Sequence, residues 1–189
     1  YSAWEVEPTI TYLPIPYAGI TMGFLFCNTI EDESYSGVSK DQRWRWSSDD
    51  DSPLCHHFAL RPAIQLATPA LKLGKDKDMG LSFILSPGLT IPLSVNQRLN
   101  ISYYPNVSGI WSSQRFDQVK NRGGRAIFYH IKGMFTLDLG EQYTLSAGYT
   151  FSDFDMYSGG RNMVVEGKKL TMPAFRFMHS FFVSLGYRF

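Results

Sequence analysis

Cysteine is scarce, charge is thin and no long apolar run exists. Two cysteines, Cys27 and Cys55, stand in 189 residues, which excludes a disulfide-rich secreted scaffold and leaves one bridge as the most the chain can form. Cys27 and Cys55 either pair in an oxidising compartment or are two free buried thiols. Charged residues make up 19%, below the usual quarter or so of a soluble domain. Lys and Arg number 18 against 17 Asp and Glu, a formal net charge of +1, so there is no bulk electrostatic case for binding nucleic acid. No apolar run reaches the roughly 18 residues of a membrane-spanning helix. A helical stripe longer than two turns is missing too. The P-loop, the dinucleotide fingerprint, the nucleophile elbow and the HExxH zinc motif are all absent, and no cofactor is expected.

Aromatics are present in quantity, at 15%, and so is a two-residue rhythm. In 142–152, Tyr143, Leu145, Ala147, Tyr149 and Phe151 alternate without exception with polar or small residues. The same rhythm runs through 17–27, 57–66, 81–95 and 127–139, marks a strand at Leu99, Ile101 and Tyr103, and closes the chain in SFFVSLGYRF, 180–189. There Phe181, Val183, Leu185, Tyr187 and Phe189 share one face, and only Phe182 interrupts the other. A period of two places the sets on opposite faces of a strand. Tight connections, Gly140-Glu141 and Asn96-Gln97, contrast with long polar ones over 29–55, 109–123 and 156–174. Short turns at one end and long loops at the other are the layout of an outer-membrane barrel.

The expected layout has the last strand run towards the short-turn end, and parity then sets the others. Counting back, 142–155 runs away from it, 124–139 towards it, 98–108 away, 80–95 towards and 56–73 away. Two layouts remain for the N-terminal third. Either 4–12 and 17–28 are the first two strands, or 17–28 is the first and a second lies near 40–47. Both give eight strands. Opposite the apolar set lie mostly Ser, Thr and Gly, with Arg61, Gln65, His130, Lys132, Asp138, Arg176 and Arg188 among them. Few of these are the Lys and Glu of a solvated face, and small polar residues suit the cramped lumen of a small barrel. The expectation is an all-β, single-domain chain over 1–189: an eight-stranded antiparallel transmembrane up-and-down β-barrel. Arg61, Gln65, His130, Lys132, Asp138, Arg176 and Arg188 would form a polar network in its lumen. The apolar face would meet lipid, with aromatics such as Tyr143, Phe154, Tyr187 and Phe189 at the interfaces.

The terminal GYRF, closing a strand of alternating aromatics on Phe189, resembles the C-terminal targeting signal of bacterial outer-membrane proteins. The hairpin-like stretch Leu89–Tyr104 is similar to hairpins in the small outer-membrane barrels of the Bacteroidetes and the wider OmpA/OmpX-like group. The resemblance implies a location in the outer membrane of a Gram-negative bacterium. It also implies lipid and lipopolysaccharide as surroundings. The barrel-assembly machinery would then read the last strand through Phe181, Val183, Leu185, Tyr187 and Phe189.

Catalytic chemistry has little to stand on. Some lipid-modifying barrels use a His with a Ser at the outer rim, but no His-x-Ser occurs around His56, His57, His130 or His179. His179 and Ser180 are neighbours on a strand and point apart. Cys55-His56-His57 matches no zinc spacing, and Asp49-Asp50-Asp51 lacks the EF-hand pattern. Trp44 and Trp46 alternate with Arg43 and Arg45 and read as an interfacial anchor. The expected function is therefore a monomeric structural or interaction protein, not an enzyme, with outer loops for contact and little or no pore activity. A lipid-modifying barrel enzyme and a soluble lipocalin-like barrel around an apolar ligand are the alternatives.

Overall fold

The computed structural model describes residues 3–29, 34–48, 56–74, 79–93, 98–110, 112–120, 124–158, 160–171 and 176–189. The described residues are strands and connections with a single short 3-10 turn at Gly160–Asn162. In chain order the strands are β1 (Ala3–Val6), β2 (Thr9–Ile15), β3 (Ala18–Thr29), β4 (Ser36–Val38), β5 (Trp44–Ser48), β6 (His56–Ala67), β7 (Leu71–Leu73), β8 (Met79–Pro92), β9 (Arg98–Pro105), β10 (Arg115–Lys120), β11 (Phe128–Leu139), β12 (Tyr143–Ser152), β13 (Val164–Val165), β14 (Lys168–Lys169) and β15 (Met178–Tyr187).

Nine of these form one antiparallel sheet in the order β1-β3-β6-β8-β11-β12-β15, with β2 also on β3 and β7 also on β8. β1 and β2 are one strand interrupted at Glu7-Pro8, since both pair with β3 in the same register. Proline has no N–H to give the ladder. β6 and β7 are likewise one strand, interrupted where Pro69 stands and shifted by one residue against β8. The sheet therefore has seven wall positions, nine strands less the two that share a position. It curls far enough for Lys132 on β11 to reach Glu7, and for Ser180 on β15 to reach Glu5. The result is an open half-barrel.

The two faces of this sheet are inverted relative to a soluble protein. Phe181 is 86% exposed, Leu185 84% and Ile10 73%, while Arg61 is 2% exposed and Thr90 fully enclosed. Ser86, His130, Thr136, Ser146, Thr150 and Ser152 are buried with them, on the inner face. Cross-strand aromatic pairs sit at both ends of the outer face. Trp4, Phe26 and Phe58 stack in series at 5.1 and 4.8 Å, Phe151 meets Phe177 at 5.0 Å, and at the other end Tyr143 meets Tyr187 at 5.5 Å. Such pairs hold the register of neighbouring strands.

The long connections fold into a cap. β4, β5, β9 and β10 form a second sheet in the order β10-β9-β5-β4, and β13 and β14 form a hairpin. Glu166 and Gly167, with φ of 50° and 77°, make its turn, the left-handed pair a two-residue hairpin needs. A continuous apolar core joins cap and wall. Trp46, Leu99, Ile101 and Tyr103 come from the second sheet, and Phe154, Met156, Tyr157, Met163, Val165 and Leu170 from the 153–171 segment. Leu25, Cys27, Ala59 and Phe128 come from the inner face of the wall. Trp46 is thus a core residue, not an interfacial anchor, and Gly37 lies beneath it: a Cβ there would stand 2.8 Å from the indole. Phe154 is 2% exposed in the same core and is no part of an outer girdle.

Several expectations change accordingly. The strand foreseen at 98–108 is β9, which leaves the wall for the cap sheet, and β8 pairs with β11 instead. With that strand gone from between them, the expected directions of 56–73 and 80–95 are reversed: β6 runs away from the cap and β8 towards it. Asn96-Gln97 lies outside the described residues. The hairpin of 4–12 with 17–28 is present as β1/β2 with β3, and the strand near 40–47 is β5 of the cap. Among the described residues the wall has seven positions and forms a curled half-barrel, not the closed eight-stranded barrel expected; periodicity cannot tell a cap strand such as β9 from a wall strand, since both alternate.

Candidate functional site: a buried ion network beneath the cap

The inner face gathers its charges at mid-height. Arg61 stands on β6 between Ala59 and Ala63, which leave it room. Its Nη1 is 2.9 Å from Glu7 Oε2 and 3.4 Å from Glu5 Oε2. Lys132 on β11 reaches across the lumen, with Nζ 2.7 Å from Glu7 Oε1. Gly23 faces Arg61 across the β3–β6 ladder, and a Cβ there would collide with the Glu7 carboxylate. Arg61 Nε donates to Thr90 Oγ1 at 3.3 Å, and that hydroxyl is 3.1 Å from His130 Nδ1. Two cations thus meet two carboxylates, so the cluster is neutral in sum, which buried charge requires. Glu5 Oε1 and Arg61 Nη2 keep no protein partner among the described residues. Both residues line a cavity of about 540 Å³ with Gln65, Ser86 and Thr150.

Below this level, Thr136 and Ser146 hydroxyls share a 2.8 Å hydrogen bond, and Arg188 Nη2 donates to Asp138 Oδ1 at 2.6 Å. Phe182, the apolar residue on the polar face, covers Gly148, where a Cβ would lie 2.7 Å from its ring. Lys132 Nζ stands 5.4 Å from the centre of the same ring, a cation–π contact. The exception in the sequence pattern is thus a side chain filling the space that a glycine leaves.

Of the residues expected in the lumen, Arg61, Gln65, His130, Lys132 and Asp138 lie on the inner face, and Arg188 meets Asp138 at its end. Arg176 does not: it precedes β15, is exposed, and lies 5.9 Å from the Phe177 ring. Sequence reasoning missed the acidic half of the network, Glu5 and Glu7. Their signal is the alternation Trp4-Glu5-Val6-Glu7, too short to stand out beside the longer strands. Phe181, Val183, Leu185, Tyr187 and Phe189 all project outward. Cys27 is a free, buried thiol with Sγ 3.9 Å from Met156 Sδ. Cys55, its expected partner, lies outside the described residues, as does Asp49-Asp50-Asp51.

Among the described side chains, His57, His130 and His179 do not converge. His57 is buried edge-on to Phe154 in the cap core, and His130 is in the lumen. His179 faces outward, hydrogen-bonded through Nδ1 to the Tyr149 hydroxyl, while Ser180 turns inward to Glu5. Among the described residues no group of three or more His, Cys, Asp or Glu could hold a metal ion. Chemically the site can pin the wall strands together and obstruct the lumen. Compared with protein-family models, curated proteins and solved structures, the chain matches none.

Proposed function

We propose that the chain is an integral outer-membrane β-barrel protein of structural or interaction type, with little or no pore activity. The observation that carries this is the inverted polarity of the wall: large apolar side chains outside, charged and hydroxyl side chains inside. In water such a face would drive aggregation; in lipid it is the favoured arrangement. The band has a suitable height. From Tyr143 to Phe151 on β12 the outward residues cover about 27 Å of strand, or ~20 Å along the normal at a ~40° tilt. The end with short turns would face the periplasm and the cap the exterior, where it, in place of loose loops, would offer the contact surface to lipopolysaccharide or to neighbouring proteins. The outward residues of β15 are what the barrel-assembly machinery would read.

Expression behind a bacterial signal peptide, followed by gels of heated and unheated outer membranes, tests this reading. A detergent-requiring protein whose mobility changes on heating is the expected result. A freely soluble protein without that shift would overturn it.

A further inference from the structure

We propose that the gap between β1/β2 and β15 receives one further extended segment, antiparallel to both edges, supplied from outside residues 3–189. The inference rests on the membrane reading above. Among the described residues, β15 pairs only with β12, and β1 and β2 only with β3. The wall therefore ends in two unpaired strand edges. The lumen cavity opens between them, bounded by Thr9 and Thr11 on one side and by Val183 and Ser184 on the other. Roughly half the backbone groups of each edge point into the gap, and lipid offers them no partner.

Three arguments fix the occupant. The first is parity. Every neighbouring pair along the wall is antiparallel, so with seven positions the two edges run in the same direction. They cannot close on each other antiparallel, whereas one strand of opposite direction pairs with both. The second is reach. Ser180 Oγ lies 3.4 Å from Glu5 Oε2 across the gap, which holds the two Cα atoms within about 11 Å given side-chain lengths. Direct pairing needs ~4.8 Å, one intervening strand ~9.6 Å and two ~14 Å. Two do not fit, and direct pairing of the two edges is absent among the described residues, which leaves one.

The third argument is source. The stretches of the chain between described residues hold at most the seven residues of 49–55, too few for a strand matching the ten of β15. A second copy inserted in the same membrane orientation presents both of its edges parallel to these, so it fails the parity condition. The occupant is a donated strand of about ten residues. Its apolar side chains would alternate outward, and its inward ones would be small or polar, to clear Glu5 and Phe182.

A synthetic peptide with the sequence Gln142–Ser152 is a suitable probe, since that strand already pairs antiparallel with β15 and alternates without exception. With the full chain folded in phosphatidylcholine vesicles, the peptide should slow hydrogen exchange across Met178–Tyr187 by roughly tenfold or more. A peptide of the same composition with the alternation scrambled should not. Equal effects of the two peptides, or none, overturn the proposal. As an independent measurement, the outward pair Val6→Cys and Phe181→Cys should resist oxidation to a disulfide yet be bridged by a ~10 Å bismaleimide. Ready disulfide formation overturns the proposal too, because it needs Cα atoms closer than about 7 Å. Both measurements can also be made in buffer. A protein that stays soluble without lipid defeats the membrane reading, while the exchange and cross-linking results still report on the edges.

Discussion

Arg61 is the residue on which most of the lumen depends. One guanidinium contacts Glu5, Glu7 and Thr90, and through Thr90 it meets His130. Removing one partner of a buried ion pair leaves the other charge without compensation and costs about 3–5 kcal/mol. Arg61→Met should lower the urea midpoint of the folded protein by a corresponding amount. Adding Glu5→Gln should restore part of the loss, because Glu5 then carries no stranded charge while Glu7 keeps Lys132. No recovery in the double variant would mean that the shape of Arg61 matters and its charge does not. At this scale the sequence showed the cations through their contrast with neighbouring Ser, Thr and Gly. It showed Asp138 but concealed Glu5 and Glu7, which stand in a short strand broken by Pro8.

At the scale of elements, the cap is held to the wall by a shared apolar core. Tyr103 on β9 is 2% exposed. Burial, and then its hydrogen bond to Glu166 and the charge of that carboxylate, push its phenol up to about 12 from an ordinary 10. Arg115, 4.7 Å from the ring, opposes the shift. The fold therefore favours the neutral phenol. Its contribution is complete below pH 10 and is lost as the pH rises through 12. Hydrogen exchange over Arg98–Pro105 should accelerate in that window. In Tyr103→Phe the acceleration should begin at higher pH, and an unchanged profile would remove Tyr103 as its cause.

The elements themselves were largely legible. β3, β6, β8, β11, β12 and β15 lie where alternation places them, because half-burial of a pleated strand demands a period of two. What alternation could not separate was β9 from its wall neighbours. A strand between a cap core and solvent carries the same period as one between lipid and lumen.

Taken whole, the molecule is a curled sheet obstructed twice. The ion network crosses it at mid-height, and the cap core of Trp46, Leu99, Ile101, Phe154 and Met163 closes one end. Ions entering from the short-turn end would meet an apolar barrier. Reconstituted in planar bilayers, the protein should give no stable open-channel conductance, and a steady large pore would contradict both obstructions. Arg125–Asp153, with 2.7 Å between Nη2 and Oδ2, and the Arg161–Asp155 pair tie the cap connections to their own neighbours.

Taken alone, the sequence determined that this chain is β-structured, that its strands are two-faced and that its charges sit on the face with small residues. Those properties follow from local periodicity, which each strand carries in itself. Only the tertiary structure decided that the long connections share an apolar core with the wall, that Glu5 and Glu7 complete the network of Arg61 and Lys132, and that seven positions leave two parallel edges facing each other. Each of these depends on which strands are neighbours. Neighbourhood is set by pairing between distant segments, about which a strand's own period is silent.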